Sequence, residues 1–424
     1  MRYVVIPAML TLAFGPSFAQ KPALTDEQIL KGAPERIERY RKADIVVRVT
    51  DRRGKPISGA KVHVRQTRHA FLFGCNAFPL LTYQDAEKEA LFEKRFTDLL
   101  NYATLGFYWG AFEPRPGETA ASMNRLRRQA QWLKAHNVEV KGHPLVWHNV
   151  YPSWAPKDAD SAKPLLEKRI TNLVTGFAGL IERWDVINEA TVSAKESNGV
   201  GDWVKRDGTA KVVSQCLEWA HTANPKAVLL YNDFNLGKDY EDLAKKLVDT
   251  KEPVSAFGIQ SHMHGGDWPM TRVWEDCETY ARFGKPLHFT ETSVLSGEHG
   301  WEKPAPWPTT KDGEARQAEY VTRFYTVLFS HPAVHAITWW DLMDGQWMGA
   351  PSGLLRADLS PKPAYDALLK LIKHDWWTDA TLTTGKDGTA KLRGFLGEYE
   401  ITCGSTTVTS AVVRGRVNKV KVRL

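Results

Sequence analysis

Eight short apolar segments recur between residues 71 and 340 of this 424-residue chain, and they constrain its fold more than any other feature. In order they read FLFGCNA, NYATLGFY, VEVKGHPLVWH, ERWDVINE, AVLLYND, SAFGIQSH, PLHFTE and VHAITWW. Helical patterns such as TAKVVSQCLEWAHTA and AEYVTRFYTVLFSH lie between them. Alternating strands and helices predict an α/β fold with a parallel sheet, and eight such units predict a closed (β/α)8 TIM barrel.

Turn-rich segments flank the barrel region at both ends. Residues 43–66 alternate apolar and polar side chains around Gly-Lys-Pro and Ser-Gly turns, and the segment after Trp377 reads the same way. Because neither segment has enough strands to bury a core alone, we expect them to form one small β-sandwich-like module. The predicted order is a signal peptide (1–19), a helical lead (20–42), module strands (43–70), the barrel (71–375) and the remaining module strands (376–424).

The N-terminus has the pattern of a secretory signal peptide. Arg2 precedes an apolar run, and Ser17 to Ala19 offer small residues before a predicted cut at Gln20. No later segment reaches the length of a membrane span. We therefore expect an exported protein, periplasmic or secreted, with no membrane partner.

The four cysteines and the net charge indicate no metal site and no nucleic-acid partner. Cys75, Cys216, Cys277 and Cys403 are isolated and lack metal-type spacing. Export permits disulfides, but a chain of this size does not need them, so disulfides and buried thiols stay equally open. The net charge of +7 comes from dispersed Lys and Arg, which is typical of a solvated surface, although attraction to acidic polymers stays open.

Polar and aromatic side chains end six of the eight segments. In a (β/α)8 barrel the functional residues lie where strands end, at the C-terminal face. The residues at these ends are His143, Trp147, His148, Asn188, Glu189, Asn232, Asp233, Gln260, His262, Glu291 and Trp340. A single strand that ends in Glu has an ordinary surface explanation, but six such ends indicate a site. His148 is equally well explained as a packed histidine, and Asp233 as a cap of the next helix.

Two carboxylates, Glu189 on the fourth segment and Glu291 on the seventh, are expected to face each other across the mouth. Paired carboxylates among amide, imidazole and indole groups suit glycoside hydrolysis, with one as general acid and the other as nucleophile or base. The 16 Trp of the chain suit stacking on sugars or a heavy core. No P-loop or carboxylate nest for a metal is visible, so we expect no metal and no cofactor.

With GHPLVWH, WDVINEA, YNDFN, GIQSHM and FTET in this order, residues 71–373 resemble glycoside hydrolase family 10, the retaining endo-β-1,4-xylanases. The resemblance implies Glu189 as acid/base, Glu291 as nucleophile and Asn188 as the partner of the sugar 2-hydroxyl. It further implies His143 and Trp147 as walls of the −1 subsite, Gln260 as a sugar contact, His262 as support for the nucleophile, Trp340 as an aromatic floor, Trp347 as a lid and Asn232 as a residue behind them. The implied partner is a polysaccharide or oligosaccharide, bound by a monomer.

Two positions depart from the family pattern. Ser293 stands where an Asp usually pairs with the supporting His262, and a hydroxyl cannot supply the same charge. On the second strand, Thr104, Leu105 and Tyr108 replace the Glu, Asn and Lys that grip the −2 sugar. We therefore expect an atypical, apolar and aromatic −2 wall that includes Tyr108 and handles plain linear xylan weakly.

Four alternatives stay open. A loop around Trp268 or residues 301–307 would restore the −2 grip from another direction. The enzyme would act on a different β-glycan or on a decorated β-glycoside, in endo or exo fashion. The barrel would be a non-catalytic carbohydrate-binding protein, although retention of both Glu189 and Glu291 argues against this. Finally, the β-module would do the work of a structural surface protein.

Overall fold

The computed structural model describes residues 24–303 and 306–424. The predicted signal peptide at residues 1–19 lies outside these described residues. Within them, no helix combines the length and the apolar character that crossing a membrane requires.

The chain begins with two short helices and two strands that precede the barrel. These are α1 (Asp26–Lys31), α2 (Ala33–Arg41), β1 (Lys42–Thr50) and β2 (Lys61–His69). Thr25 caps α1 by accepting a hydrogen bond from the backbone N–H of Gln28, whose side chain bonds back to the Thr25 backbone. This reciprocal cap sets where the ordered N-terminal helix starts.

Each of the eight predicted apolar segments forms a strand of one closed parallel barrel. The strands are β3 (Leu72–Asn76), β4 (Tyr102–Gly106), β5 (Glu139–His143), β6 (Val146–Trp147), β7 (Arg183–Asn188), β8 (Val228–Asp233), β9 (Ala256–Met263), β10 (Leu287–Val294) and β11 (Val334–Trp339). The short β6 extends β5, since both pair with β7, and β11 pairs back with β3 to close the barrel. The predicted (β/α)8 fold is confirmed.

Helices surround the barrel and bury the outer faces of its strands. They are α3 (Ala86–Leu99), α4 (Trp109–Phe112), α5 (Ala120–Ala135), α6 (Ala159–Gly176), α7 (Gly199–Asp207), α8 (Thr209–Ala223), α9 (Lys238–Asp249), α10 (Met270–Ala281), α11 (Lys311–Ser330) and α12 (Pro363–Lys370). Strands covered on both faces explain why the segments read as nearly continuous apolar runs rather than as alternating patterns.

The two ends of the chain meet in one β-module, as predicted. Its C-terminal strands are β12 (Asp379–Thr383), β13 (Thr389–Phe395), β14 (Gly397–Cys403), β15 (Thr406–Val412) and β16 (Asn418–Arg423). One sheet has the order β13-β1-β16 and the other the order β12-β2-β14-β15. Ile45, Val64, Ile401 and Val422 are among the apolar side chains buried in its core.

All four cysteines lie within the described residues, and each is a free, buried thiol. Of the two possibilities left open by the sequence, the structure therefore has buried thiols.

Candidate active site

The predicted site residues lie together at the C-terminal mouth of the barrel. His143 ends β5, Trp147 ends β6, Asn188 ends β7, Asn232 lies near the end of β8, Gln260 and His262 lie on β9, Glu291 lies on β10, and Glu189, Trp340 and Trp347 follow β7 and β11. The parallel strands thus bring residues that are far apart in the sequence to one rim, as the strand-end argument predicts.

Glu189 leaves the line of β7 at once. Its backbone φ is +55°, a left-handed conformation that is uncommon for residues other than glycine. Its backbone N–H donates to the Asn232 carbonyl at 2.9 Å. Its carboxylate accepts hydrogen bonds from Trp147 Nε1 at 2.9 Å and from Gln260 Nε2 at 2.8 Å. The unusual backbone conformation and these bonds together fix the carboxyl in the mouth.

The surroundings of Glu189 favour its protonated form. Burial and, to a smaller extent, the nearby Glu291 carboxylate raise the pKa of Glu189 from 4.5 to about 7. The hydrogen bonds from Gln260 and Trp147 oppose this shift without cancelling it. Glu189 is therefore placed to hold and release a proton near neutral pH.

The surroundings of Glu291 favour its ionised form. Asn232 Nδ2 donates to Glu291 Oε1 at 2.8 Å, and His262 Nε2 lies 3.1 Å from Oε2. Burial by itself would raise the pKa of Glu291, but the hydrogen bond with His262 and the charges of His143, His262 and Lys141 hold the pKa below 4.5. The carboxylate is therefore available as an anion at neutral pH.

An amide network joins the two carboxylates. Asn188 Nδ2 donates to Glu189 Oε1 at 3.0 Å, and Asn232 Nδ2 contacts both Asn188 Oδ1, at 2.7 Å, and Glu291. Gly258 makes room for this network, since a Cβ there would lie 2.4 Å from Asn232 Oδ1. Asn232, placed behind the site by sequence comparison, is thus a direct hydrogen-bond partner of Glu291.

His262 connects Glu291 to Ser293. The His262 Nδ1 atom lies 2.9 Å from Ser293 Oγ, while its Nε2 atom faces Glu291. Trp347 stacks on the imidazole with ring centroids 4.0 Å apart and planes inclined by 23°. Ser293 therefore contacts the Nδ1 side of His262, at the position where the sequence predicted a hydroxyl instead of the usual carboxylate.

Sequence reasoning missed the charged pair beneath His143. Lys141 Nζ lies 2.6 Å from Asp185 Oδ2, and His143 Nδ1 lies 2.7 Å from the same oxygen. Burial by itself would raise the pKa of Asp185, but the Lys141 ammonium and His143 hold this pKa below its usual value. His143 Nε2 then lies 3.8 Å from Glu291 Oε1, so this chain of charges reaches the nucleophile candidate from inside the barrel. The sequence signal for this pair was one charged residue inside each of two apolar segments, Lys141 in VKGH and Asp185 in WDVIN.

Aromatic side chains form one wall of the mouth. Tyr108 packs against His143 and Trp147, with ring centroids 5.6 Å apart in both cases. Trp340 packs edge-on against His143 and against Phe78, with ring centroids 5.4 Å apart in both pairs. The expected aromatic character of the wall near Tyr108 is present.

A polar pair lies beside this wall. Thr104 and Leu105 are completely buried, and beside them Asn76 Nδ2 donates a hydrogen bond to Asp341 Oδ1. Burial raises the pKa of Asp341 to about 7, against the opposing bond from Asn76 and with a contribution from Glu291. The strand-end rule that identified the other residues applies equally to Asn76, the last residue of β3, and to Asp341, which follows β11.

A cavity of about 790 Å³ opens on the side of Glu189. Phe234, Trp268 and Trp301 line it, and Phe234 and Trp301 are each 50% exposed. The Arg272 guanidinium lies 3.7 Å from the centroid of the Trp268 ring. Trp268 and Trp301 therefore line the side of Glu189, and a −2 grip from the loops around Trp268 and residues 301–307 stays a prediction.

His148 and Asp233 hold loops rather than line the mouth. His148 Nδ1 lies 2.9 Å from Ser193 Oγ, and burial lowers the pKa of this histidine. Asp233 accepts hydrogen bonds from Thr191 Oγ1 at 2.8 Å and from the Asn235 backbone at 3.0 Å. The cap of α9 is Gly237, so the interpretation of Asp233 as a helix cap is wrong.

Comparison with known proteins adds sequence relatives to this geometry. A family model described as glycosyl hydrolase family 10 matches residues 67–371. The chain is 26% identical over 309 residues to endo-1,4-beta-xylanase B of Thermotoga neapolitana, covering 68% of this chain and 85% of that one. It is 31% identical over 272 residues to a beta-1,4-xylanase of Dictyoglomus thermophilum, covering 60% of this chain and 74% of that one.

Solved structures show the same fold. Xylanase 10B from Thermotoga petrophila RKU-1, in complex with xylobiose, aligns with a TM-score of 0.61 at 23% identity, over 72% of this chain and 95% of that chain. A GH10 structure from Paenibacillus barcinonensis aligns with a TM-score of 0.60 at 24% identity, over 72% and 96% of the two chains. At these identities the likeness shows the barrel fold.

Proposed function

We propose, because this chain belongs to glycosyl hydrolase family 10 and is therefore a glycoside hydrolase, that it cleaves β-1,4-linked xylan or xylo-oligosaccharides with retention of anomeric configuration. The substrate class is supported by relatives that are named as β-1,4-xylanases. The mechanism is supported by one observation above the others. Two carboxyls joined by an amide network have pKa values shifted in opposite directions, which separates an acid from a nucleophile.

In the first step Glu291 attacks the anomeric carbon and Glu189 protonates the departing glycosidic oxygen. The lowered pKa keeps Glu291 ionised, and Asn232 and His262 hold its oxygens in place. The raised pKa keeps a proton on Glu189 near neutral pH. The products of this step are a covalent glycosyl–enzyme ester and a free alcohol.

In the second step the roles of Glu189 reverse. Having lost its proton, Glu189 accepts one from water, whose oxygen attacks the anomeric carbon and releases Glu291. Two displacements at one carbon restore the original configuration. Trp147 and Gln260, which hold Glu189 in both states, keep the carboxyl in reach of the leaving oxygen and then of the water.

The two sides of the mouth receive the two parts of the substrate. Because Glu189 protonates the leaving group, the cavity with Phe234, Trp268 and Trp301 receives the leaving sugars, which stack on these exposed rings. The sugar being cleaved lies over Glu291, between His143 and Trp340. The substrate is met outside the cytoplasm, in the periplasm or medium, since residues 1–19 have the pattern of a signal peptide.

The test is hydrolysis of xylan and aryl β-xylosides by the purified protein, followed by NMR of the first-formed anomer. We expect β-configured products and no activity in Glu291→Ala. In Glu189→Ala, we expect activity only on substrates with an activated leaving group, with azide restoring turnover and forming a β-glycosyl azide.

A crystal structure should place the two carboxyls about 5–5.5 Å apart, the retaining separation. An α-configured first product, or a separation of roughly 6.5–9.5 Å, would contradict the mechanism. Full inactivity on a panel of β-glycans would instead support a binding protein. Activity confined to another β-glycan would keep the mechanism and change the substrate.

A further inference from the structure

Three neighbouring strand ends carry a polar cluster that the two-step mechanism does not use. We call Asn76, Thr104 and Asp341 the rim cluster. Strand β3 lies between β11 and β4, and Asn76 stands opposite Thr104 in the register of β3 with β4. Asp341 follows the end of β11 and accepts a hydrogen bond from Asn76. These three residues therefore meet at one point of the barrel mouth.

Two polar atoms of the rim cluster lack partners. The Asn76 amide gives its N–H to Asp341, which leaves Asn76 Oδ1 and Thr104 Oγ1 with no hydrogen bond to any residue that the structure describes. Both side chains are almost completely buried. They therefore lie behind Asp341, which is the member of the cluster that faces the mouth.

Of the rim cluster, Asp341 is within reach of the substrate. Asp341 is 5% exposed, the same fraction as Glu291, which must touch the substrate to act. Asp341 also interacts electrostatically with Glu291 and with the Tyr108 hydroxyl. Tyr108 and Trp340, the residue before Asp341, both pack against His143 and supply ring surface to this side of the mouth. An arrangement of ring faces beside hydrogen-bonding groups is suited to a sugar.

The cluster lies on the opposite side of Glu291 from the leaving group. None of its residues lines the cavity beside Glu189, where Phe234, Trp268 and Trp301 are found. A sugar that touches the rim cluster therefore precedes the sugar held over Glu291.

We propose that Asp341, held in place by Asn76, binds a hydroxyl of the sugar that precedes the cleaved unit. This inference rests on the proposed function and specifies its substrate. The ligand class is a neutral sugar ring with a free hydroxyl that can donate to Asp341. The carboxyl that is missing from β4 is thus replaced by one from the loop after β11, which an amide from β3 holds in place. A plain xylo-oligosaccharide meets this requirement, in contrast to the expectation from Thr104, Leu105 and Tyr108 alone.

The experiment compares 4-nitrophenyl β-xyloside, which fills only the cleaved position, with 4-nitrophenyl β-xylobioside, which adds the preceding sugar. We expect wild-type kcat/KM to rise at least about tenfold on adding that sugar. Asn76→Ala and the isosteric Asp341→Asn should each reduce this gain at least about fivefold, the effect of one lost hydrogen bond. The loss should appear in KM, with kcat/KM on the monoxyloside within about twofold of wild type.

The matched control is Asn224→Ala. Asn224 Nδ2 donates to Glu182 Oε2 at 2.7 Å just before β7 begins, at the opposite end of the barrel. This variant also loses an amide–carboxylate bond, and its xylobioside gain should equal that of wild type.

Any other outcome contradicts either this inference or the proposed function. If wild type cleaves both substrates without a gain, or if the gain survives in both rim variants, the inference is wrong and the proposed function stands. If both substrates slow equally with a matching fall in Tm, the pair is structural and the inference is again wrong. If wild type cleaves neither substrate nor any xylan, the proposed xylanase function fails and the inference fails with it.

Discussion

The pKa of Glu189 predicts where activity is lost as pH rises. With a pKa of about 7, half of Glu189 is protonated at pH 7. A carboxyl with a pKa of 4.5 would be only about 0.3% protonated there, so burial and Glu291 increase the acid form roughly 150-fold. For a sugar leaving group that requires a proton, kcat/KM should be halved near pH 7 and fall about tenfold by pH 8.

Asp341 complicates this assignment because burial raises its pKa to about 7 as well. The assay is therefore kcat/KM against pH for three proteins: wild type, Asp341→Asn and Glu189→Ala. With xylo-oligosaccharides, wild type and Asp341→Asn should share the alkaline limb with a midpoint near pH 7. With a dinitrophenyl leaving group that needs no proton, Glu189→Ala should retain activity that does not change across this range.

Two results would refute the reasoning. An alkaline limb that disappears in Asp341→Asn would assign the ionisation to the rim cluster rather than to Glu189. A wild-type midpoint near pH 5 would show that burial does not raise the pKa of Glu189, and the separation of the two carboxyls into acid and nucleophile would then lose its basis.

Three further changes test other parts of the structure. The pKa of Glu189 is raised from 4.5 to about 7 in the folded state, so the stability linked to its proton is complete below pH 4.5 and is lost as pH rises through 7. Glu189→Gln should therefore raise the free energy of unfolding in urea by on the order of 3 kcal/mol at pH 8, and should not change it at pH 4. Ser293→Asp adds an anion next to His262, stabilises its protonated form and should move the acid limb of kcat/KM, which follows Glu291, to lower pH. Ile401→Ala opens a cavity in the β-module core and should cost about 2–5 kcal/mol by urea unfolding while kcat stays unchanged.

The sequence predicted the barrel and most of the mouth because both depend on order along the chain. A strand buried on two faces must be apolar, and the residue after its last apolar position must reach the rim, so Asn188 and Glu291 are found by position alone. Asn76 and Asp341 obey the same rule. They were missed because the wall near Tyr108 was judged only from the replaced positions on β4, and the ends of the neighbouring strands β3 and β11 were not considered with it.

Other features depend on contacts that sequence order does not encode. Phe234, Trp268 and Trp301 lie in loops, whose paths no periodic pattern describes. The pairing of Lys141 with Asp185 requires that β5 and β7 be neighbours, which follows only after the barrel closes and β6 proves to be an extension of β5. A charged residue inside an apolar segment indicates that a partner exists without identifying it.

Strand β7 shows how one apolar stretch, WDVINEA, carries two carboxyls in opposite states. Asp185 is completely buried, yet its pKa is lowered, because Lys141 and His143 neutralise it. The pKa of Glu189, at the rim, rises because burial and then the nearby Glu291 carboxylate outweigh the hydrogen bonds from Gln260 and Trp147. Removing the lysine, as in Lys141→Met, would leave the buried Asp185 with His143 but without its ammonium partner. Loss of one partner of a buried ion pair typically costs about 3–5 kcal/mol, and this change would also remove a cation that helps to hold the pKa of Glu291 low. Lys141 and His143 inside the barrel therefore contribute to the low pKa of Glu291, on which the proposed mechanism relies.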